Sequence, residues 1–304
     1  MKLCHGGACC APGAVFAFSW AGVPFFAGQW LVSRRRVPDA DRGEWWVRAA
    51  RIWRYPMKSA GGEQLSEVDV APDGLVGDRR WACVDADGVV VSAKQPRLWE
   101  RLLQVTVRGD GVRLPDGRTA VLDRDGVADA GALLSSWLGR AVTVTDVVPE
   151  GAVLHRFWPR EPGMIPSWAA GAEAGSDVLS TIGSGRFHDF GAVHAVTTGA
   201  LDRLAEVHGA PVDHRRFRPN LLLDLPDDPA PGDVVQVGGV RLRVRVPTPR
   251  CVVPSLGHGG GAGDTGLLRT LAKHYRMPVG QFGTAACFGW YAIVEQAGRI
   301  ETDG

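Results

Sequence analysis

The chain has 304 residues, 45% hydrophobic and 22% charged, an ordinary globular composition that allows two domains or one large one. Its 34 Lys and Arg nearly balance 33 Asp and Glu, which excludes a general nucleic-acid binder but leaves local clusters free to bind a small anion. Six cysteines, Cys4, Cys9, Cys10, Cys83, Cys251 and Cys287, show no repeated spacing and read as reduced, which predicts a cytoplasmic protein.

From the N-terminus, Ala14 to Val32 is mostly apolar and aromatic and is followed by Arg34-Arg35-Arg36, the flank of a membrane anchor. Pro24, Gln29 and several glycines interrupt it and little basic sequence precedes it, so neither a membrane span nor a secretory signal is predicted. Cys4-His5 with Cys9-Cys10 fits no zinc spacing. Val47 opens the first well-patterned strand, Val47 to Arg54, and valine can be encoded by GTG, an alternative start codon. Residues 1–46 are therefore expected to be a leader, disordered or upstream of the true start.

Residues 47–145 read as short strands cut by Asp73-Gly74, Asp87-Gly88, Asp110-Gly111 and Asp116-Gly117, the pattern of a small barrel or sandwich. One helix is predicted over Asp129–Leu138, with Asp129 as cap, Leu133, Leu134, Trp137 and Leu138 as apolar face, and Gly139 as terminator. Residues 146–304 form a second, mixed unit. After a Pro/Gly-rich stretch from Trp158 to Gly175, a strand over Ala192–Val196 leads into Thr197-Thr198 and a helix over Gly199–His208. Two hydroxyls at a helix start leave N–H groups for an anion, although a simple N-cap at Thr198 explains them equally well. Val234 to Val246 reads as a hairpin turning at Gly238-Gly239, and a helix over Leu267–Tyr275 and a strand over Gly289–Glu295 complete the pattern. The predicted class is mainly β with α+β elements: an N-terminal β-barrel-like domain and a C-terminal β-barrel domain with short helices.

In the second hairpin strand Val240, Leu242, Val244 and Val246 alternate with Arg241, Arg243 and Arg245, giving an apolar and a basic face. Cys251 follows directly in Pro247-Thr248-Pro249-Arg250-Cys251, where the prolines stiffen the loop that presents its sulfur. A lone cysteine after a strand is ordinarily an inert small hydrophobe. Cationic neighbours favour the thiolate instead, the form that acts as nucleophile or soft-metal ligand. Cys83, Cys287 and His194 read as core residues, and Trp81, Trp99 and Trp137 as core or pocket walls.

Three basic clusters recur near turns: Lys58-Ser59, Gly77-Asp78-Arg79-Arg80 and Arg215-Arg216-Phe217-Arg218-Pro219-Asn220. In an extended segment Arg216 and Arg218 would share one side, a geometry suited to gripping phosphate. With the arginine face before Cys251 they could line a site for a phosphorylated ligand.

Tyr55-Pro56-Met57-Lys58-Ser59, Gly77-Asp78-Arg79-Arg80-Trp81, Arg216-Phe217-Arg218-Pro219-Asn220 and Pro249-Arg250-Cys251, in that order, resemble the landmark motifs of the MOSC family, the molybdenum cofactor sulfurase C-terminal domain proteins. The resemblance is closer to members with an N-terminal MOSC β-barrel, such as the mitochondrial amidoxime-reducing component, and runs from about Val47 to Ile300. It implies a molybdopterin cofactor whose metal is held by Cys251 and whose phosphorylated pterin is gripped by Lys58, Ser59, Arg79, Thr197, Thr198, Arg216 and Asn220, with Arg250 beside them. It also implies reduction of N-hydroxylated compounds, amidoximes and hydroxylamines, with electrons from a separate ferredoxin or cytochrome b5-like protein. Relatives often carry Thr-Val-Asp after the cysteine, whereas Ser255-Leu256-Gly257 stands here, followed by glycine-rich His258 to Gly263. His258 then reads either as a substitute proton donor or, more simply, as a residue of a mobile loop. Two competing readings are a metal-free protein that carries or handles sulfur on Cys251, and a non-enzymatic anion-binding scaffold.

Overall fold

The computed structural model describes residues 44–181 and 185–302. The apolar run Ala14 to Val32, the arginines after it and Cys4, His5, Cys9 and Cys10 lie outside the described residues. Over the described residues the protein is mainly β with four short α-helices. The N-terminal half contains β1 (Glu44–Val47), β2 (Ala49–Arg54), β3 (Glu63–Leu65), β4 (Glu67–Ala71), β5 (Gly74–Leu75), β6 (Ala82–Asp85), α1 (Pro96–Trp99), β7 (Thr106–Arg108), β8 (Gly111–Arg113), β9 (Thr119–Val121), α2 (Val127–Leu138) and β10 (Val142–Thr145). There follow β11 (Val153–Phe157), β12 (Asp177–Thr181), β13 (Val193–Thr197), α3 (Thr198–His208), β14 (Leu221–Leu223), β15 (Val234–Val237), β16 (Val240–Pro249), α4 (Gly266–His274), β17 (Arg276–Pro278), β18 (Thr284–Gln296) and β19 (Gly298–Glu301).

The largest sheet curls as a half-barrel in the order β1-β15-β16-β18-β13-β14-β2-β3, with β17 paired to β18. It draws strands from both ends of the chain. In it β2 pairs antiparallel with β14, Ile52 opposite Leu221; in a separate three-stranded sheet β4 pairs with β19, Val68 opposite Ile300. Val47, Ile52, Val68 and Leu75 consequently share one core with Val193, Leu221, Leu242 and Ile300. Strands before and after the division expected near residue 145 thus close a common sheet, while Met57, Trp81, Trp99, Leu134 and Val142 form a separate N-terminal core.

Alternation decides which face each residue joins. In β13 and β14, Ala195 and Leu221 face the shared core, whereas Val196 and Leu222 face the opposite side, where α3 and α4 bring Leu204, Leu267 and Leu271. Both strands are buried on two sides, so they read as continuous apolar runs rather than half-apolar ones.

Several boundaries differ from the sequence reading. The first strand starts at Glu44, and Arg48 divides it from β2. α2 starts at Val127 on Gly126, leaving Asp129 in its first turn, and Gly139 ends it in the left-handed conformation as predicted. α3 is capped one residue early, by Thr197, whose Oγ1 accepts from Ala200 N. The strand expected over Gly289–Glu295 starts five residues earlier and ends one later, at Thr284–Gln296.

The β16–β18 ladder slips register between Val244 and Val246 and again between Pro247 and Pro249. These irregularities accommodate two prolines that lack the ladder N–H. Opposite them, Gly289 adopts φ +68, and a Cβ there would lie 2.4 Å from the Ala195 carbonyl oxygen. Gly289→Ala should therefore destabilise the fold by roughly 2–3 kcal/mol, from backbone strain and a clash that backbone cannot relieve. Urea unfolding measures this, and a loss under half a kcal/mol would contradict it.

Candidate functional site

Backbone pairing gathers the three basic clusters. Lys58 N donates to Trp81 O and Arg79 N to Tyr55 O, both at 2.8 Å, so the Lys58-Ser59 turn lies against the Arg79 turn. Asn220 N donates to His194 O at 2.7 Å and Trp53 N to Asn220 O at 2.8 Å, which stitches the Arg216–Asn220 segment between β13 and β2. β16 then delivers Arg250 N to Ala286 O at 2.8 Å and leaves Cys251 just beyond its last pairing.

One cleft receives all of them. Lys58, Lys94, Arg79, Arg216, Arg218 and Arg250 border it, against one bordering carboxylate, Asp189, and the Cys251 thiol opens onto it half-buried. Ser59, Arg79 and Arg218 are the non-glycine residues with positive φ among the described residues, at 63, 46 and 54°, and all three border this cleft. Such conformations each cost on the order of 1–3 kcal/mol and collect at functional sites.

The cations are held in different ways. Arg79 Nη1 donates to both oxygens of fully buried Asp78, at 2.7 and 2.6 Å. Burial opposes its charge, but Asp78 outweighs this and raises the Arg79 pKa. Arg79 and Arg218 lie over the Tyr55 ring, 4.6 and 4.3 Å from its centroid. Burial and then Arg79 push the Arg218 guanidinium down to about 10. Arg218 Nη1 donates to Ala60 O at 2.5 Å. Asp189 Oδ1 lies 2.6 Å from Lys58 Nζ and 2.8 Å from Lys94 Nζ. Burial alone would raise the Asp189 carboxyl, but the two ammonium groups hold it well below the usual carboxylate range.

Not every expected residue is available to a ligand. Arg250 Nε donates to Phe288 O at 2.9 Å and Nη1 to Phe217 O at 3.2 Å, while Nη2 meets Phe288 O and His194 Nε2. It braces the loop rather than gripping a ligand. The Asn220 amide accepts from His194 N at 3.2 Å and donates to Trp53 O at 3.3 Å, a strand-to-strand tie. Thr197 and Thr198 do not border the cleft; their hydroxyls donate to Asp228 Oδ1 at 2.8 Å and Leu225 O at 3.3 Å. The anion site expected at the start of α3 is thus filled by the protein's own acceptors.

Three further expectations change. His214–Phe217 is a 3-10 turn and Arg218 is left-handed, so Arg216 and Arg218 do not alternate along an extended segment, although both reach the cleft. Arg241 and Arg243 clamp Glu295 on the outer face of the sheet instead of lining the site. His258 ring Nε2 lies 3.0 Å from Val253 O, and burial pushes it down to about 4, so it is neutral near pH 7 and is no proton donor there. Its glycine-rich loop is fastened by Gln104 to Gly257 O and Gly260 N and by Arg216 to Leu256 O and Ala262 O. Cys83 and Cys287 are buried as predicted, their thiols pushed up to about 12 by burial.

Sequence reasoning missed Lys94, Asp189 and Tyr291 as cleft residues. A buried lysine flanked by Ala93 and Gln95 resembles any surface lysine until Ala93 N is seen donating to Ser59 Oγ at 3.0 Å, which locks the two turns together.

Comparison with known proteins agrees with this architecture. Residues 47–145 match the family model for the MOSC N-terminal beta barrel domain, and residues 183–303 match that for the MOSC domain. The chain belongs to the MOSC family, in its two-domain form. Mitochondrial amidoxime reducing component 2 of Rattus norvegicus is 23% identical over 289 residues, covering 83% of this chain and 80% of that protein. Mitochondrial amidoxime-reducing component 1 of Mus musculus is 25% identical over 287 residues, covering 83% and 79%. The crystal structure of the YUAD protein from Bacillus subtilis aligns with a TM-score of 0.38 at 10% identity, over 84% of this chain and 91% of that one, a likeness too weak to bear on the fold. Among the described residues of this MOSC protein, no helix is long and apolar enough to cross a membrane.

Burial, opposed by Asp189 and assisted by Lys94, pushes the Lys58 ammonium from 10.5 down to about 8. Between those values the unfolded chain holds the proton that the folded protein lacks, so folding stability rises with pH across that window. Lys58 should contribute up to roughly 1.4 kcal/mol per pH unit there. Lys58→Met should lose that contribution, as urea unfolding of both proteins at pH 8 and 10 would show; equal slopes would refute the assignment.

Proposed function

We propose that this MOSC protein is a molybdenum-dependent reductase of N-hydroxylated compounds. The observation that carries the reading is a free, half-buried thiol at a cleft walled by cations, of which Lys58 and Lys94 are buried. Among the described residues no three His, Cys, Asp or Glu side chains converge as a metal site. A metal bound at Cys251 would therefore bring its remaining ligands with it, as a molybdopterin does, and a thiolate is a suitable soft ligand for it. The donors present fit such a group: a sulfur for the metal and ammonium and guanidinium groups for a phosphate.

In this reading Cys251 Sγ holds the metal, and Lys58, Ser59, Arg79 and Arg216 hold the phosphorylated pterin. Ser59 Oγ accepts from Ala93 N, which leaves its O–H free to donate. Bound there, the cofactor supplies the two electrons for reductive loss of oxygen as water from an N-hydroxylated substrate, the reaction indicated by the names of the two relatives. The protein's part is fixed charge and orientation. Asp78 and Tyr55 keep Arg79 aimed before any ligand arrives, so little reorganisation accompanies binding. Arg250 braces the loop that carries the thiol, and Asn220 ties β13 to β2, without contacting the ligand. Electrons come from a separate ferredoxin or cytochrome b5-like protein, and the protein works in the cytoplasm, where its thiols stay reduced.

Protein purified from a host that makes the cofactor should contain about one molybdenum per chain and reduce benzamidoxime with a chemically reduced viologen. Cys251→Ala should lose both the metal and the turnover, a fall of at least about a hundredfold in rate. A folded, metal-free protein would overturn the reading. So would a sulfur adduct on Cys251, seen by intact-mass analysis and absent from Cys251→Ala, which would instead establish a sulfur carrier.

A further inference from the structure

Within the cleft, two lysines share one carboxylate oxygen, Asp189 Oδ1, at 2.6 and 2.8 Å. Their surroundings are unequal. The Lys58 and Lys94 side chains are 5% and 10% exposed, whereas that of Asp189 is 40% exposed. The lysines are also fixed from behind: Lys58 N donates to Trp81 O at 2.8 Å, Lys58 Nζ to Phe187 O at 3.1 Å, and Ala93 N, beside Lys94, to Ser59 Oγ at 3.0 Å. The other carboxylate nearby, Asp78, is fully buried and anchored by Arg79 and by Tyr55 N, so it cannot leave. Asp189 has solvent to move into; the ammonium groups do not.

We propose that Lys58 and Lys94 together form a twin-lysine oxyanion site for a phosphate monoester, and that Asp189 occupies it as an internal stand-in which the phosphate displaces. The proposal rests on the reading that the cleft takes a phosphorylated ligand, and it adds Lys94, which the family motifs above do not include. A phosphate monoester presents three terminal oxygens and up to two charges, against two oxygens and one charge for a carboxylate. It therefore satisfies both ammonium groups better than Asp189 does, and lysine binds phosphate as a point charge without a fixed fork. Two buried ammonium groups without any anion would repel each other in a poorly solvated site, so the stand-in keeps the empty site charged and open. Its presence lowers the apparent affinity for phosphate, because the binding-competent arrangement is only a fraction of the population.

The test uses full-length protein from a host unable to make the cofactor, titrated with inorganic phosphate by calorimetry. Asp189→Asn, close in shape but uncharged, should bind phosphate about tenfold more tightly than the wild type, and Lys94→Gln about tenfold more weakly, the size of one charge-assisted hydrogen bond. Lys94→Arg, which keeps the charge, should stay within a few-fold of wild type, and it carries the Asp189→Asn comparison if Lys94→Gln does not fold. Weaker or unchanged binding by Asp189→Asn would show that Asp189 orients the lysines rather than competing for them, and would overturn the proposal. Unchanged binding by Lys94→Gln, or no phosphate binding by any of the proteins, would overturn it too. None of these readouts involves molybdenum, so a failed metal assay with the expected phosphate ranking would sink only the reductase reading.

Discussion

Like charges crowded out of water are the constraint on which the rest of this structure depends. Arg79 and Arg218 press on one tyrosine ring, and Lys58 and Lys94 meet at one oxygen a short distance away. Each cation would be better solvated outside, and several are pushed toward their neutral forms. Two carboxylates, a tyrosine face and a set of backbone carbonyls hold them in place. Such a cluster adds no stability for its own sake, and its physical use is to complement an anion.

The backbone supports that arrangement at a cost. Ser59, Arg79 and Arg218 sit in the left-handed region that glycine ordinarily occupies, and each of the three turns aims its side chain into or along the cleft. They are held there by pairing that crosses the chain: the Lys58 turn on the Arg79 turn, and the Arg218 segment on β2 and β13. The site therefore lies where the N-terminal core meets the sheet shared by both halves, and neither half alone carries the complete set of charges.

Cys251 is placed by the same logic. Irregular pairing of β16 with β18 admits two prolines, and the strand ends with the thiol bordering the cleft instead of inside the sheet. Arg250, next to it, looks like a ligand-binding residue by composition, yet all three of its nitrogens are taken by Phe217, Phe288 and His194. It fixes the geometry of its neighbour, a role in which an arginine's several donors matter more than its charge.

Much of the plan was legible in the chain itself. Alternation in Val240–Val246, the Gly238-Gly239 turn and the left-handed Gly139 are local features, set by side-chain period and by backbone freedom at glycine, and they needed no partner to be read. The four ordered motifs likewise pointed to the family and to Cys251. Tertiary structure alone decided which polar groups remain available. Thr197, Thr198 and Asn220 are spent on contacts to residues distant in sequence, while Lys94 and Asp189 enter the cleft from segments with no motif of their own. A residue's type states what it can donate or accept. Only the packed chain determines whether that capacity is already satisfied, because burial forces every polar group to find its partner within the fold.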